Sequence, residues 1–341
     1  MSTSAPITGP LSLGDLLDRA FRIYRARFGS LVLTAAIFLV PLGILSGILS
    51  GTMLTSFFAL FAQLLRNPNA TPDAAIANLV QTSRDTTVIS YALTLVSLVA
   101  NAIITLALTG QSIAILHNQP MTLAESLRAA LRRFWAFVGM SLTKWLVILA
   151  ITVGFLMIVG CAVFALTFAA SGLFATTGPA FLEDADGAAT IMGIVVLVCC
   201  LYLGIILLAL LPTAYLTARW IAATPGLVDQ QWGPIEALRK SWALTHGHVG
   251  RCFLYVVLLY LLYFVIYAII IGLAFGGVAL AASVSPRAGV VVYSAVNAIL
   301  PVLWAPLAAA AFVLLYYDLR VRQEGYDLAL RVQQLEAEGT Q

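Results

Sequence analysis

The chain has 341 residues, of which 61% are hydrophobic and only 10% charged, with a formal net charge of +3. An ordinary soluble domain carries about 25% charged residues. A soluble core could not hide this much apolar surface, so the solvent for most of the chain is lipid, and the length-to-domain rule for soluble proteins does not apply.

The first ten residues, MSTSAPITGP, have no basic n-region and no cleavage-site pattern, so no signal peptide is expected there. The next stretch, LSLGDLLDRAFRIYRARFGSLVL (residues 11–33), places Arg19, Arg22, Arg25 and Arg27 directly ahead of an apolar wall. Leu13, Leu16, Leu17, Ala20, Phe21, Tyr24 and Phe28 recur at helical spacing on one face, and the arginines fill the other. Ser12 caps the predicted helix, and Asp15 sits three residues later, where a carboxylate meets free amides and the positive end of the helix dipole. The pattern predicts a helix lying in the membrane interface, apolar side down, with its arginines on anionic lipid.

Six spans follow from apolar length, at about 30–58, 87–116, 139–170, 190–220, 252–281 and 288–317. Lys and Arg divide unevenly between the two sides. Arg19, Arg22, Arg25, Arg27, Arg128, Arg132, Arg133, Lys144, Arg219, Arg239, Lys240, Arg251, Arg320, Arg322 and Arg331 fall on one side, and Arg66, Arg84 and Arg287 on the other. By the positive-inside rule both termini are cytoplasmic. The loop 171–189, with Glu183, Asp184, Asp186 and no basic residue, is expected outside.

The basic helix has two weaker copies. TLAESLRAALRRFWAFVG starts at Thr122 and GPIEALRKSWALTHGHVG at Gly233, so that Asp15, Glu125 and Glu236 align without gaps through to Gly29, Gly139 and Gly250. The second span of each unit repeats too: NAIITLALTG from Asn101, LGIILLALLP from Leu203 and NAILPVLWAP from Asn297. The expected fold is therefore an all-α membrane protein of six transmembrane helices in three parallel repeats, each preceded by an amphipathic interfacial helix. The repeats cover 11–118, 120–222 and 231–320 of a single membrane domain (1–341), and 321–341 form a cytoplasmic amphipathic tail.

The segments LSLGDLLDRAFRIYRARFG, WGPIEALRKSWALTHGHVGRCF and LLYYDLRVRQEGYDL resemble a group of bacterial multi-pass proteins similar to the membrane domain of glycerophosphoryl diester phosphodiesterases. The resemblance implies a bacterial plasma-membrane protein. In relatives that have a phosphodiesterase, catalysis belongs to a separate soluble barrel, so no activity is carried over.

Hydrolytic chemistry needs clustered His, Asp, Glu or Cys. His117, His246 and His248 lie in short connections, and His246 and His248 with no further ligand read as a solvated loop. Cys161, Cys199, Cys200 and Cys252 read as small packing residues. No phosphate-binding glycine loop or nucleophile elbow occurs, and Asn69-Ala70-Thr71 reads as an ordinary loop between Pro68 and Pro72. No catalytic residue, metal or cofactor is expected, and the chain is not expected to be an enzyme.

The candidate sites are of other kinds. Arg19, Arg22, Arg25, Arg27, Arg128, Arg132, Arg133, Arg239 and Lys240 form the membrane-surface set. Gly43, Gly47 and Gly51, with Ser46 and Ser50 beside them, form a small-residue ridge for a helix of the same chain or of a second protomer, and Gly272 and Gly276 offer a weaker one. Pro41, Pro212, Pro301 and Pro306 are expected to bend their helices. Asn101 and Asn297 share a repeat position and are expected to face the bundle interior, either pinning helices or lining a cavity. Three functions stay open: a non-catalytic membrane scaffold or accessory protein, a transporter or lipid-handling protein with a weakly polar cavity at the repeat axis, and a membrane partner of a separately encoded lipid-acting enzyme. The expected partners are an anionic phospholipid membrane and a membrane protein or second copy of the chain, with no nucleic acid.

Overall fold

The computed structural model describes residues 11–66, 73–119, 121–177, 204, 212–284 and 286–324. Among them every regular element is a helix. α1 (Leu13–Ala26) is followed by three long helices, α2 (Phe28–Arg66), α3 (Asp73–Leu116) and α4 (Leu123–Thr177). After a helical stretch at 212–219 come the short α5 (Ala223–Asp229) and α6 (Pro234–Leu244), then α7 (Val249–Val284) and α8 (Pro286–Glu324).

Five of these helices are long and apolar enough to cross a membrane, over Phe28–Gly51, Thr87–Leu116, Leu123–Cys161, Val249–Ile270 and Ala288–Gln323. The protein is an integral membrane protein. Most of the span expected at 190–220 lies outside the described residues, as do the loop around Asn69, Cys199, Cys200, the acidic residues of the 171–189 loop and the tail beyond Glu324.

The amphipathic segments start as expected and end differently. The Ser12 hydroxyl accepts the Asp15 amide at 3.1 Å, and the Asp15 carboxylate accepts the Ser12 amide at 3.1 Å, which opens α1 with a reciprocal cap. Thr122 and Glu125 do the same at the start of α4, where the returning amide bond is 2.8 Å. Gly233 has no side chain to offer α6, but the Glu236 carboxylate still accepts its amide at 3.2 Å. Arg27 then interrupts the helix after α1, and Thr245–His248 turn the chain after α6 with Gly247 at φ 78°. After Thr122 nothing breaks the run: Ala136 stands where the sequence alignment puts Gly247, and α4 continues for 55 residues. At 1.5 Å per residue that is roughly 80 Å, far beyond a bilayer core. The expectation of a separate interfacial helix before the third span is corrected accordingly: surface segment and span are one helix.

The apolar face of α1 also finds a different neighbour. Leu16 and Ala20 are fully buried and Ile23 nearly so, in one cluster with Leu314, Leu315 and Leu319 of α8. That stripe is covered by protein, while Leu13, Leu17, Phe21 and Tyr24 at its edges stay half-exposed. Protein carbon satisfies the stripe as well as hydrocarbon would, and hydrogen bonds described below hold it there.

The glycine ridge serves a neighbour within the chain. α2 lies against α8 so closely that a Cβ on Gly43 would meet the backbone of Ala298. One on Gly47 would sit 2.5 Å from Ser294 Cα, and one on Gly51 3.0 Å from Val290 Cγ1. The partner residues are spaced by four, as the glycines are, so two single helix faces run together over two turns. A Cβ on Gly272 would meet nothing within 4 Å among the described residues. Pro41, Pro301 and Pro306 lie inside helices that continue past them.

Candidate functional site

Two constellations stand out, one at the end of the bundle where α1 meets the end of α8 and the start of α7, the other a cavity among the spans. The first is built on two aspartates. Asp318, in the last turns of α8, is fully buried. Its Oδ1 accepts the backbone amide of Leu11 at 2.9 Å, and its Oδ2 accepts Arg251 Nε at 3.1 Å and Arg322 Nε at 3.0 Å. The Leu11 carbonyl accepts Arg322 Nη2 at 2.9 Å and is also bonded by Arg251. A buried carboxylate is costly unless paired and hydrogen-bonded, and here both oxygens are satisfied. The ring ties Leu11, two residues ahead of α1, to the end of α8 and the start of α7.

Asp229, at the end of α5, accepts Tyr316 Oη at 3.0 Å and Tyr317 Oη at 2.9 Å, and pairs with Arg320 at 3.3 Å. Trp232 packs edge-on against Tyr316 with ring centroids 6.2 Å apart, and carries Lys240 Nζ 5.0 Å above its ring. Gly226 lies flat against Trp232, where any side chain would collide. Arg219 stacks over Trp242 at 4.5 Å, and its carbonyl accepts the Ser241 hydroxyl at 2.8 Å. Deeper in, Gln111 of α3 donates to Thr34 of α2 and Ser126 of α4, both at 2.9 Å, and all three side chains are buried. These contacts fuse the helix ends into one body.

On this body the basic set is displayed outward. Arg22, Arg25, Arg27, Arg128, Arg132, Arg239 and Lys240 are exposed, and Arg19 and Arg133 half-exposed. Arg22 pairs with Asp18 at 2.6 Å and Lys240 with Glu236 at 2.9 Å, both in solvent, where such pairs contribute little. The Asp15 carboxyl is held below its ordinary range by the Ser12 hydroxyl, then by the Ser12 amide. Glu236 is lowered by its bond to Lys240, then by the Gly233 amide.

The second constellation is a cavity of about 300 Å³ between α3, α4, α5, α7 and α8. Asn101, Thr105, Thr109, Lys144, Thr217, Thr224 and Tyr260 supply its polar lining. Ile104, Leu108, Ile221, Val256 and Phe312 supply much of the apolar part. Asn101 is exposed and donates to Ser97 of its own helix at 2.8 Å; Asn297 is half-buried and does not line the cavity. Of the two asparagines, the cavity thus takes in Asn101 alone.

His246 and His248 both meet Gln323, which donates to the His246 carbonyl at 2.7 Å. Among the described residues no group of three His, Cys, Asp or Glu is placed to hold a metal. Sequence reasoning missed Asp318, Asp229, Gln111 and the cavity role of Lys144. Asp318 and Arg322 at helical spacing after an apolar run were a readable signal for an ion pair, but their bond to Leu11 was not.

No curated protein and no solved structure matches the chain. Residues 190–328 match the family described as the membrane domain of glycerophosphoryl diester phosphodiesterase, and that segment holds Asp229, Arg251, Asp318 and Arg322. Over this part of its length the chain is similar to that membrane domain.

Proposed function

We propose that the protein is a non-catalytic integral membrane scaffold or accessory protein of the bacterial plasma membrane. In this reading three parallel repeats of interfacial segment, span, loop and span place both termini in the cytoplasm. The reading is carried by the buried Asp318 ring, which ties α1 to α7 and α8 and makes a rigid platform of the helix ends. Nine basic side chains face outward from that platform toward anionic inner-leaflet lipid and a membrane-protein partner. The three cap carboxylates, Asp15, Glu125 and Glu236, support the repeat.

Mild detergent extraction followed by quantitative identification of co-purifying proteins tests the reading. A stoichiometric partner lost when Arg128, Arg132, Arg239 and Lys240 become Gln is the expected result. Hydrolysis of a glycerophosphodiester by the purified chain alone overturns it. The family match favours a second reading, a membrane partner of a separately encoded lipid-acting enzyme; the identity of the co-purifying protein separates the two. For orientation, a cysteine at Ala75 is expected to label from outside intact cells and one at Arg128 is not. Labelling at Arg128 from outside overturns the cytoplasmic platform.

A further inference from the structure

We infer that the cavity around Lys144 is a binding site for the phosphodiester headgroup of an anionic membrane lipid, drawn from the cytoplasmic leaflet. This goes beyond the scaffold reading and rests on it only for the orientation that makes this leaflet the cytoplasmic one.

The argument starts from charge. Lys144 lies five residues past Gly139, where the apolar run of α4 begins, so its Cα is roughly 8 Å inside that boundary. Among the described residues no ion pair or hydrogen bond reaches its ammonium, and the cavity lining contains no carboxylate. A cation on a spanning helix is costly unless paired or aimed at water, and such residues mark ligand sites more often than they serve packing. The side chain borders an open volume, so the missing counter-ion has room to enter.

The neighbouring hydroxyls sort into two roles. Thr109 and Thr217 already donate to the carbonyls of Thr105 and Thr213, at 2.7 and 2.8 Å, so they offer the cavity only lone pairs. The hydroxyls of Thr105 and Thr224 have no partner among the described residues and are free to donate. Asn101 spends one amide hydrogen on Ser97 and keeps the other, with its oxygen free. One cation and several donors fit the non-bridging oxygens of a phosphodiester. The acceptors fit the hydroxyls of a polyol beyond it.

The remaining lining selects the source. Ile104, Leu108, Ile221, Val256 and Phe312 are apolar, which suits a glycerol backbone with acyl chains attached better than a fully hydrated anion. A volume of about 300 Å³ holds a headgroup but not two acyl chains. Asn101 and Tyr260 at the rim are exposed on helices that span the membrane, so the chains can leave sideways into the bilayer.

The test is native mass spectrometry of the full-length chain in detergent, titrated with phosphatidylglycerol, phosphatidylcholine and diacylglycerol of matched acyl chains. Phosphatidylglycerol is expected to bind at one saturable site at least tenfold more tightly than diacylglycerol, and more tightly than the zwitterion. Lys144→Met is expected to erase that preference, and Lys144→Arg to keep most of it. Thr105→Val is expected to weaken it severalfold, which covers the case in which Lys144→Met fails to fold. Soluble glycerophosphoglycerol is expected not to displace the lipid. Equal binding of phosphatidylglycerol and diacylglycerol, an unchanged preference in folded Lys144→Met or in Thr105→Val, or displacement by the soluble headgroup overturns the proposal.

Discussion

Asp318 and Lys144 are both charges withdrawn from bulk water, and they are treated in opposite ways. Asp318 is enclosed by two guanidiniums and a backbone amide, all from its own chain. Lys144 borders a cavity and has no counter-ion among the described residues. A fully satisfied buried charge constrains geometry, because each partner must sit in one place. An unsatisfied charge beside open volume leaves its partner to be supplied from outside. The contrast separates a structural role from a binding role without any appeal to the identity of either residue.

The comparison breaks first at Asp318. Asp318→Ala leaves two buried-side guanidiniums and the Leu11 amide facing a void. Removing one member of a buried pair costs about 3–5 kcal/mol. Arg251 and Arg322 keep about a fifth of their side-chain surface exposed and can turn toward water, so the low end is expected. Heat unfolding in bicelles measures it, and proteolysis of the N-terminal segment should accelerate as α1 detaches. If α1 stays docked and stability holds, the ring is ornamental and the rigid platform falls with it.

A second, smaller loss is expected where backbone meets backbone. Gly47→Leu puts a side chain where Ser294 Cα already stands, so α2 and α8 must separate. Overpacking of this kind costs about 1–3 kcal/mol. Gly272→Leu, where an added Cβ meets nothing within 4 Å among the described residues, serves as the control and should cost far less. Equal losses at the two glycines would show that helix identity, and not close approach, governs the effect.

How much of this was legible in the sequence follows from range. The caps at Ser12 and Thr122 were readable because both partners lie within four residues, and periodicity exposed the apolar stripe of α1. The ridge Gly43-Gly47-Gly51 was readable as a ridge, but its partner Ala298 lies more than 250 residues away and carries no mark of the pairing. Leu11 contributes to the Asp318 ring through its backbone amide and carbonyl, which every residue but proline possesses, so no residue type could announce it. Lys144 was absorbed into the count of cytoplasmic charges, because a tally of Lys and Arg records the side and ignores the neighbours. Asn101 and Asn297 align in the sequence, yet Asn101 lines the cavity and Asn297 does not, since an alignment of segments records spacing and not neighbours.

The cap on α1 gives the next step down. Ser12→Ala removes the hydroxyl that accepts the Asp15 amide, and an N-cap loss of this type costs roughly 1 kcal/mol. A pH dependence comes with it. The Asp15 carboxyl is lowered in the folded state, so its contribution is present above the unfolded value and is lost as pH falls through the lowered folded one. The gap in melting temperature between wild type and Ser12→Ala should therefore be widest near neutral pH. It should narrow only in acid, below the ordinary aspartate range. A gap that stays constant through that range would assign the whole effect to the hydroxyl.

The smallest expected effect is the one that sharpens the opening contrast most. Lys144→Met keeps most of the side-chain volume and removes the charge. If Lys144 is held by nothing in its own chain, the ligand-free protein loses no interaction, and an uncompensated desolvation cost disappears. Stability of delipidated protein should then stay within about 0.5 kcal/mol of wild type, as surface-like substitutions do, or rise. Adding phosphatidylglycerol should stabilise wild type and not the variant, because a ligand that binds only the folded state raises apparent stability by mass action. A drop in the delipidated variant as deep as that of Asp318→Ala would place a structural partner on Lys144 and make the two charges alike. A rise shared by both proteins on adding lipid would move the lipid effect away from the cavity and leave the ammonium to the surface charge count.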